Sequence, residues 1–263
     1  MKILLHGCNG KMGQVITGLV SDLKGSEDLE IVCGVDSEPS KIQNTYPVYA
    51  RIWDIPDGFL EDARPDVIVD FSHHTSIREL LDFALSRRIP IVIGTTGFTA
   101  EEISAIVDAS HNIPVLMSAN MSLGINLLIS LVTQASAVLK DSFDIEIVEK
   151  HHNQKADSPS GTALMIADAI NATYGNKLEY VYGRSPETGK RNQYELGIHS
   201  VRGGSIVGEH DVIFAGQGEV IQVSHTVLSR DVFGYGAISA ARFIIEREPG
   251  LYDMQDVVKF GLS

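Results

Sequence analysis

Residues 2–13, KILLHGCNGKMG, decide how the chain is read. Lys2 to Gly7 is a short apolar run such as a fully buried strand shows, and a helical pattern follows from Lys11 to Leu23. Between them lies Gly7-Cys8-Asn9-Gly10-Lys11-Met12-Gly13, a G-x-x-G-x-x-G turn that joins strand to helix. Glycines permit a tight turn and let the backbone approach a pyrophosphate, and the first N–H groups of the helix offer it hydrogen bonds. The spacing differs from the common G-x-G-x-x-G, and alone it is also compatible with a plain strand–helix turn. Asp36 tips the reading toward a dinucleotide. It ends the next strand-like run, Glu30 to Asp36 (EIVCGVD), where an acid accepts hydrogen bonds from the ribose hydroxyls of adenosine. That carboxylate repels a 2′-phosphate, and Ser37 follows where an arginine would help NADPH, so NADH is expected to serve at least as well as NADPH. Lys11 could reach a phosphate, and Lys41 could do so if its loop folds inward.

Outward from this unit the alternation continues. Asp66 to Ser72 (DVIVDFS), Pro90 to Gly94 (PIVIG) and Pro114 to Ser118 (PVLMS) read as strands. Helices are expected from about Thr75 to Arg88 and from Thr99 to Ser110, the latter opened by a Thr-x-x-Glu capping box. Strands alternating with helices imply an α/β fold with a Rossmann-type parallel sheet covered on both faces. After Asn120 the pattern changes. Gly124 to Leu139 is a long apolar helix, Asp144 to Glu149 alternates like a strand with one polar face, and a second helix starts near Gly161. Strand follows strand from Tyr194 to Ser229, and Phe233 to Glu248 returns to helix. Two domains are expected. Residues 1–122 with 232–263 form the dinucleotide-binding domain. Residues 123–231 form a smaller α+β domain with a mixed sheet, for substrate binding and oligomerisation. Gly94-Thr95-Thr96 and Ser118-Ala119-Asn120-Met121 follow strands of the first domain, where ligands bind in open α/β sheets, and a nicotinamide ring could lie against both.

Composition narrows the classes of function. The 263 residues are 44% apolar and 21% charged, ordinary for a globular chain, and the formal net charge is −13. Such a surface repels a phosphate backbone, so no nucleic-acid partner is expected. A local basic site can still draw a small anion. The two cysteines, Cys8 and Cys33, lie in or beside apolar segments and read as buried free thiols. No apolar run has the length of a membrane span and the N-terminus lacks a signal-peptide pattern, so no membrane association and a cytoplasmic location are expected.

The densest chemistry is Glu149 to Ala163, EKHHNQKADSPSGTA. His151, His152, Lys150 and Lys155 make a cationic stretch in an acidic protein. Ser160-Gly161-Thr162 opens a helix, whose first N–H groups can hold a carboxylate. Lys155 could pair with the same anion or donate a proton, and histidine suits proton transfer near neutrality. A solvated loop followed by a helix cap is the plain alternative. No metal is expected: adjacent histidines do not share a helical face, His73-His74 is spaced no better, and no H-E-x-x-H or C-x-x-C occurs.

This segment closely resembles the signature of the dihydrodipicolinate reductase family, also called the 4-hydroxy-tetrahydrodipicolinate reductase family. The resemblance extends over nearly the whole chain, through GCNGKMG, DFS, GTTGF, ANMSLGIN and VRGGSIVGEHDVIFAG. It implies reduction of a cyclic dicarboxylate, 4-hydroxy-tetrahydrodipicolinate, by NADH or NADPH, in lysine and diaminopimelate biosynthesis. It implies His151 as proton donor or acceptor, Lys155 as proton donor, and His152, Ser160, Gly161 and Thr162 as substrate contacts. The cofactor would meet Gly7, Cys8, Asn9, Gly10, Lys11, Met12, Asp36, Gly94, Thr95, Thr96, Ser118, Ala119, Asn120 and Met121. A homotetramer formed through the substrate-domain sheet is implied as well. Asn153-Gln154 fills a stretch that is more basic in other members. Two readings compete: reduction of a different imine or enal dicarboxylate on the same scaffold, and a non-catalytic NADH sensor, which leaves the His-Lys segment without a purpose.

Overall fold

A strand that is apolar on both sides must be covered on both sides, and the first half of the chain solves this with helices on either face of a sheet. The computed structural model describes residues 1–23, 28–140 and 142–261. In chain order its elements are β1 (Lys2–His6), α1 (Lys11–Leu23), β2 (Glu30–Val35), β3 (Val48–Tyr49), α2 (Asp57–Asp62), β4 (Val67–Asp70), α3 (Ile77–Arg87), β5 (Ile91–Ile93), α4 (Ala100–Ser110) and β6 (Pro114–Met117). There follow α5 (Leu123–Leu139), β7 (Asp144–His151), α6 (Gly161–Thr173), β8 (Glu179–Tyr182), β9 (Glu195–Arg202), β10 (Gly208–Ala215), β11 (Val220–Val227), α7 (Asp231–Ile244), β12 (Gly250–Tyr252) and α8 (Met254–Phe260). They divide into two compact units, residues 1–123 with 230–263, and residues 124–229.

The first unit carries a seven-stranded sheet in the order β12-β6-β5-β4-β1-β2-β3. Every pairing is parallel. The period-two alternation of β1 shows why its run is apolar throughout. Ile3 and Leu5 join one core with Ile16 and Leu19 of α1 and Ala237 and Ala241 of α7, while Leu4 joins the other with Leu80 of α3 and Ile106 of α4. The expected capping box opens α4: the Thr99 hydroxyl accepts from the Glu102 N–H, and the Glu102 carboxylate accepts from the Thr99 N–H. Strand order reverses direction around β1 and β4, which makes their C-terminal ends the natural crevice for a ligand.

The second unit holds a five-stranded mixed sheet, β11-β10-β7-β9-β8. β7 runs parallel to β9 and antiparallel to β10. Helices α5 and α6 pack on one face, with Val132 and Ile166 over Ile145, Ile147, Ile198 and Phe214. Along β7 the inward-facing positions are Ile145, Ile147, Glu149 and His151, all buried. The apolar stripe that anchors the strand thus ends in an acid and a histidine. The strand runs two residues beyond its expected end at Glu149.

Candidate active site

Two groups of residues gather at strand ends, one in each unit. In the first unit the turn after β1 is closed by steric necessity. Gly7 has φ +79°, and a Cβ there would lie 2.4 Å from the Phe71 carbonyl oxygen. A Cβ on Gly13 would lie 2.3 Å from the Gly7 oxygen. The Gly7 N–H donates to the Val35 carbonyl at 2.8 Å, and the Asn9 N–H donates to Asp36 Oδ2 at 3.0 Å. Asp36 Oδ1 accepts from the Glu38 N–H at 3.0 Å. The acid at the end of β2 is therefore tied to the glycine turn. An open cleft of about 520 Å³ runs past Gly7, Asn9, Gly10, Asp36, Ser72 and His73 at the ends of β1, β2 and β4. The closely wound backbone, the absent side chains and the acid are suited to a dinucleotide.

The remaining expected cofactor residues are distributed unevenly. Met12, Gly94, Thr95 and Thr96 line a smaller hollow of about 250 Å³ beside the cleft, sharing Phe71, Ser72 and His73 with it. Ser118, Ala119, Asn120 and Met121 line neither, and the Met121 side chain belongs to the core. Cys8 is buried and burial pushes its thiol up to about 12, with the Asp36 charge adding to the shift, so only its backbone is available to a ligand. Lys41, which also lines the cleft, pairs with Glu38 at 2.5 Å.

In the second unit the centre is Glu149, which is 0% exposed. A bare carboxylate there would cost several kcal/mol, and the surroundings are built to satisfy it. Arg202 grips it with two nitrogens at 2.7 and 2.8 Å. The Ser160 N–H donates to Oε1 at 3.1 Å, and His151 Nδ1 lies 2.5 Å from Oε2. Burial alone would raise the Glu149 pKa, but hydrogen bonds from Arg202, Ser200 and His151 outweigh it and hold it at about 2. An ionised carboxylate only accepts, so His151 Nδ1 carries the hydrogen of this bond, and Nε2 is the nitrogen left to exchange a proton. A Cβ on Gly208 would stand 3.1 Å from that Nε2, so the glycine keeps the space beside it open.

Ser160 caps α6, its hydroxyl accepting from the Ala163 N–H at 3.1 Å and bonding His210 Nε2 at 3.0 Å. With its N–H on Glu149 and its side chain buried, Ser160 holds the start of the helix in place. His210 packs edge-on to His151 with ring centroids 5.3 Å apart. Burial, then repulsion from His151, pushes its pKa down to about 4. Lys155 Nζ lies 2.8 Å from Asp157, and Arg202 Nη2 also donates to the Asp157 carbonyl at 2.7 Å. Gly161, exposed, and Thr162, half-buried, form the first turn of α6, and His152 is half-buried just past the end of β7. Glu149, Arg202 and His210 have no role in the sequence reading. Their meeting depends on register, with His151 opposite Arg202 on β9 and Glu149 opposite His210 on β10, and no local pattern announces it.

Among the described residues, no group of three or more His, Cys, Asp or Glu side chains is arranged to hold a metal ion. No described helix is long and apolar enough to cross a membrane.

A parallel sheet with a glycine-wound turn at its switch point, carried in one chain with a buried acid–histidine pair, defines the class: an NAD(P)H-dependent oxidoreductase. Residues 1–121 match the family described as dihydrodipicolinate reductase, N-terminus, and residues 124–258 match dihydrodipicolinate reductase, C-terminus. The chain belongs to the dihydrodipicolinate reductase family. It is 54% identical over 261 residues to the 4-hydroxy-tetrahydrodipicolinate reductase of Caldanaerobacter subterraneus subsp. tengcongensis, covering 99% of each chain. It is 48% identical to the protein of the same name from Clostridium tetani, covering 97% of this chain and 95% of that one. Among solved structures it is similar to a dipicolinate-bound dihydrodipicolinate reductase from Paenisporosarcina sp. TG-14. The TM-score is 0.80 at 25% identity, covering 97% of this chain and 98% of that one.

Proposed function

We propose that the protein reduces 4-hydroxy-tetrahydrodipicolinate to tetrahydrodipicolinate with NADH or NADPH, with loss of water, in lysine and diaminopimelate biosynthesis. The observation that carries this reading is the buried Glu149–His151 pair at the end of β7, in a chain whose two halves match the two halves of the family.

The first unit is the dinucleotide-binding domain. The turn from Gly7 to Met12 binds the pyrophosphate through its backbone, and Asp36 receives the ribose hydroxyls. Gly94, Thr95, Thr96 and Ser118 to Met121 border the nicotinamide. The bound dinucleotide supplies a hydride. In the second unit, Lys155 and the N–H groups of Gly161 and Thr162 anchor a substrate carboxylate, with His152 alongside. His151 exchanges a proton at Nε2 while Glu149 holds Nδ1, and Lys155 is a second proton donor. Replacing Lys155 by alanine is therefore expected to lower both kcat and substrate affinity. Asp36 favours NADH because it repels a 2′-phosphate. Exposed apolar residues on and beside the edge strand β11, Val220, Ile221 and Leu228, support assembly into a homotetramer through this unit. A biosynthetic role of this kind places the protein in the cytoplasm.

The test is loss of NADH absorbance with substrate generated in place, by the preceding synthase, from pyruvate and aspartate semialdehyde. Oxidation that requires both proteins is the expected result. Binding of NADH without turnover would favour a nucleotide sensor. A kcat/KM for NADPH ten times that for NADH or more would overturn the reading of Asp36.

A further inference from the structure

One of the groups assigned above to a substrate carboxylate, the Lys155 ammonium, already faces a carboxylate of the protein. Lys155 Nζ lies 2.8 Å from Asp157 Oδ2. Asp157 stands four residues before Gly161, where α6 begins. Its main chain is not free to drift: Arg202 donates to the Asp157 carbonyl at 2.7 Å while the same guanidinium grips the buried Glu149. The acid therefore projects from a fixed point toward the Lys155 ammonium. The Asp157 carboxyl is held below its usual range, chiefly by its hydrogen bond from Lys155.

We propose that Asp157 is an internal stand-in for one carboxylate of the substrate, occupying Lys155 until a dicarboxylate displaces it. This rests on the reading of Lys155 and Gly161 as substrate anchors. The exposures suit an exchangeable plug. Lys155 is 21% exposed at its side chain, whereas Asp157 is 57% exposed, so the acid can swing into water and leave the partly buried ammonium for the ligand to pair. Exposed ion pairs contribute little, so the exchange is cheap for a ligand that brings contacts of its own. The plug also sorts ligands. A monocarboxylate replaces one carboxylate by another and gains almost nothing at this position. A ring carrying two carboxylates replaces the first and still has the second to place. Asp157 thus acts as a specificity residue, keeping small anions off a cationic site while admitting dicarboxylates.

The experiment is calorimetric titration of the full-length protein with pyridine-2,6-dicarboxylate, comparing wild type, Asp157→Asn, Asp157→Glu and Lys155→Ala. Asn keeps the size and removes the charge, so Asp157→Asn is expected to bind the probe roughly two- to fivefold more tightly, the range open to an exposed ion pair. Asp157→Glu is expected to stay nearer to wild type. A residue that merely supports the loop would give weaker binding on substitution, so equal or weaker binding by Asp157→Asn overturns the proposal. Lys155→Ala separates this from the underlying site. If that variant binds the probe as tightly as wild type, the assignment of the anchor itself fails and the plug with it. If it binds more weakly while Asp157→Asn does not tighten, only the plug is refuted.

Discussion

The turn after β1 and the end of β7 both present ligand groups at the tip of a strand, yet they are made of opposite materials. The first is built by omission: Gly7 and Gly13 leave out side chains that would lie 2.4 and 2.3 Å from backbone oxygens, and the turn is tied to Asp36 through the Asn9 N–H. The second is built by compensation: a fully buried carboxylate is made tolerable by Arg202, His151 and the Ser160 N–H. The contrast teaches where each site is vulnerable. Adding an atom damages the first, and removing a charge damages the second.

The largest expected effect tests the chemistry at β7. Changing His151 to alanine removes the group proposed to exchange a proton, and kcat should fall roughly 10²–10⁴-fold, while NADH binding measured by fluorescence stays near wild type. A kcat within a few-fold of wild type would remove His151 from the reaction. Next comes Glu149→Gln, which leaves the partly buried Arg202 without its charge partner. Breaking such a pair costs about 3–5 kcal/mol, so the urea midpoint should drop sharply. The pH–rate profile should shift as well, because Nδ1 of His151 loses the acceptor that fixes it. Unchanged stability would mean that the carboxylate is not compensated in the way its contacts indicate. Gly13→Ala tests the other material. Forcing the turn apart should cost about 1–3 kcal/mol and raise the KM for NADH, and an undisturbed KM would show that the turn has slack.

The smallest effect is a matter of pH. Burial lowers the pKa of His210 from about 6.5 to about 4, so as pH falls from 6.5 the unfolded chain takes up a proton before the folded one does. The stabilising contribution of neutral His210 is whole above pH 6.5 and is lost progressively down to about pH 4. Replacing His210 by glutamine should flatten this part of the curve, as read from urea midpoints at neutral and mildly acidic pH. A variant with the same pH dependence as wild type would assign the loss to other groups.

The same contrast explains what the sequence makes legible. The glycine turn is a local device, and the expected helix from Lys11 to Leu23 and strand from Lys2 match α1 and β1 because all their determinants lie within a few residues of each other. The capping box at Thr99 is equally local. Strands β3 and β12, of two and three residues, are too short to show a period, and the reading passes over them. At β7 the alternation is visible as far as Glu149, but an acid followed two places later by a histidine does not look like a buried stripe. It becomes one only because Arg202 arrives from β9 and His210 from β10. Resemblance points to His151 without revealing what holds it.

That stripe ties the chemistry to the counting of residues along one strand. Ile145 and Ile147 fix the face of β7 that turns to the helices, and Glu149 and His151 follow on the same face by parity. One residue inserted between Ile147 and Glu149 would leave the isoleucines packed but turn the acid and the histidine to the opposite side. A substitution there removes one group, whereas an insertion displaces the acid and the histidine together, so the spacing along β7 matters to the chemistry as much as the histidine itself.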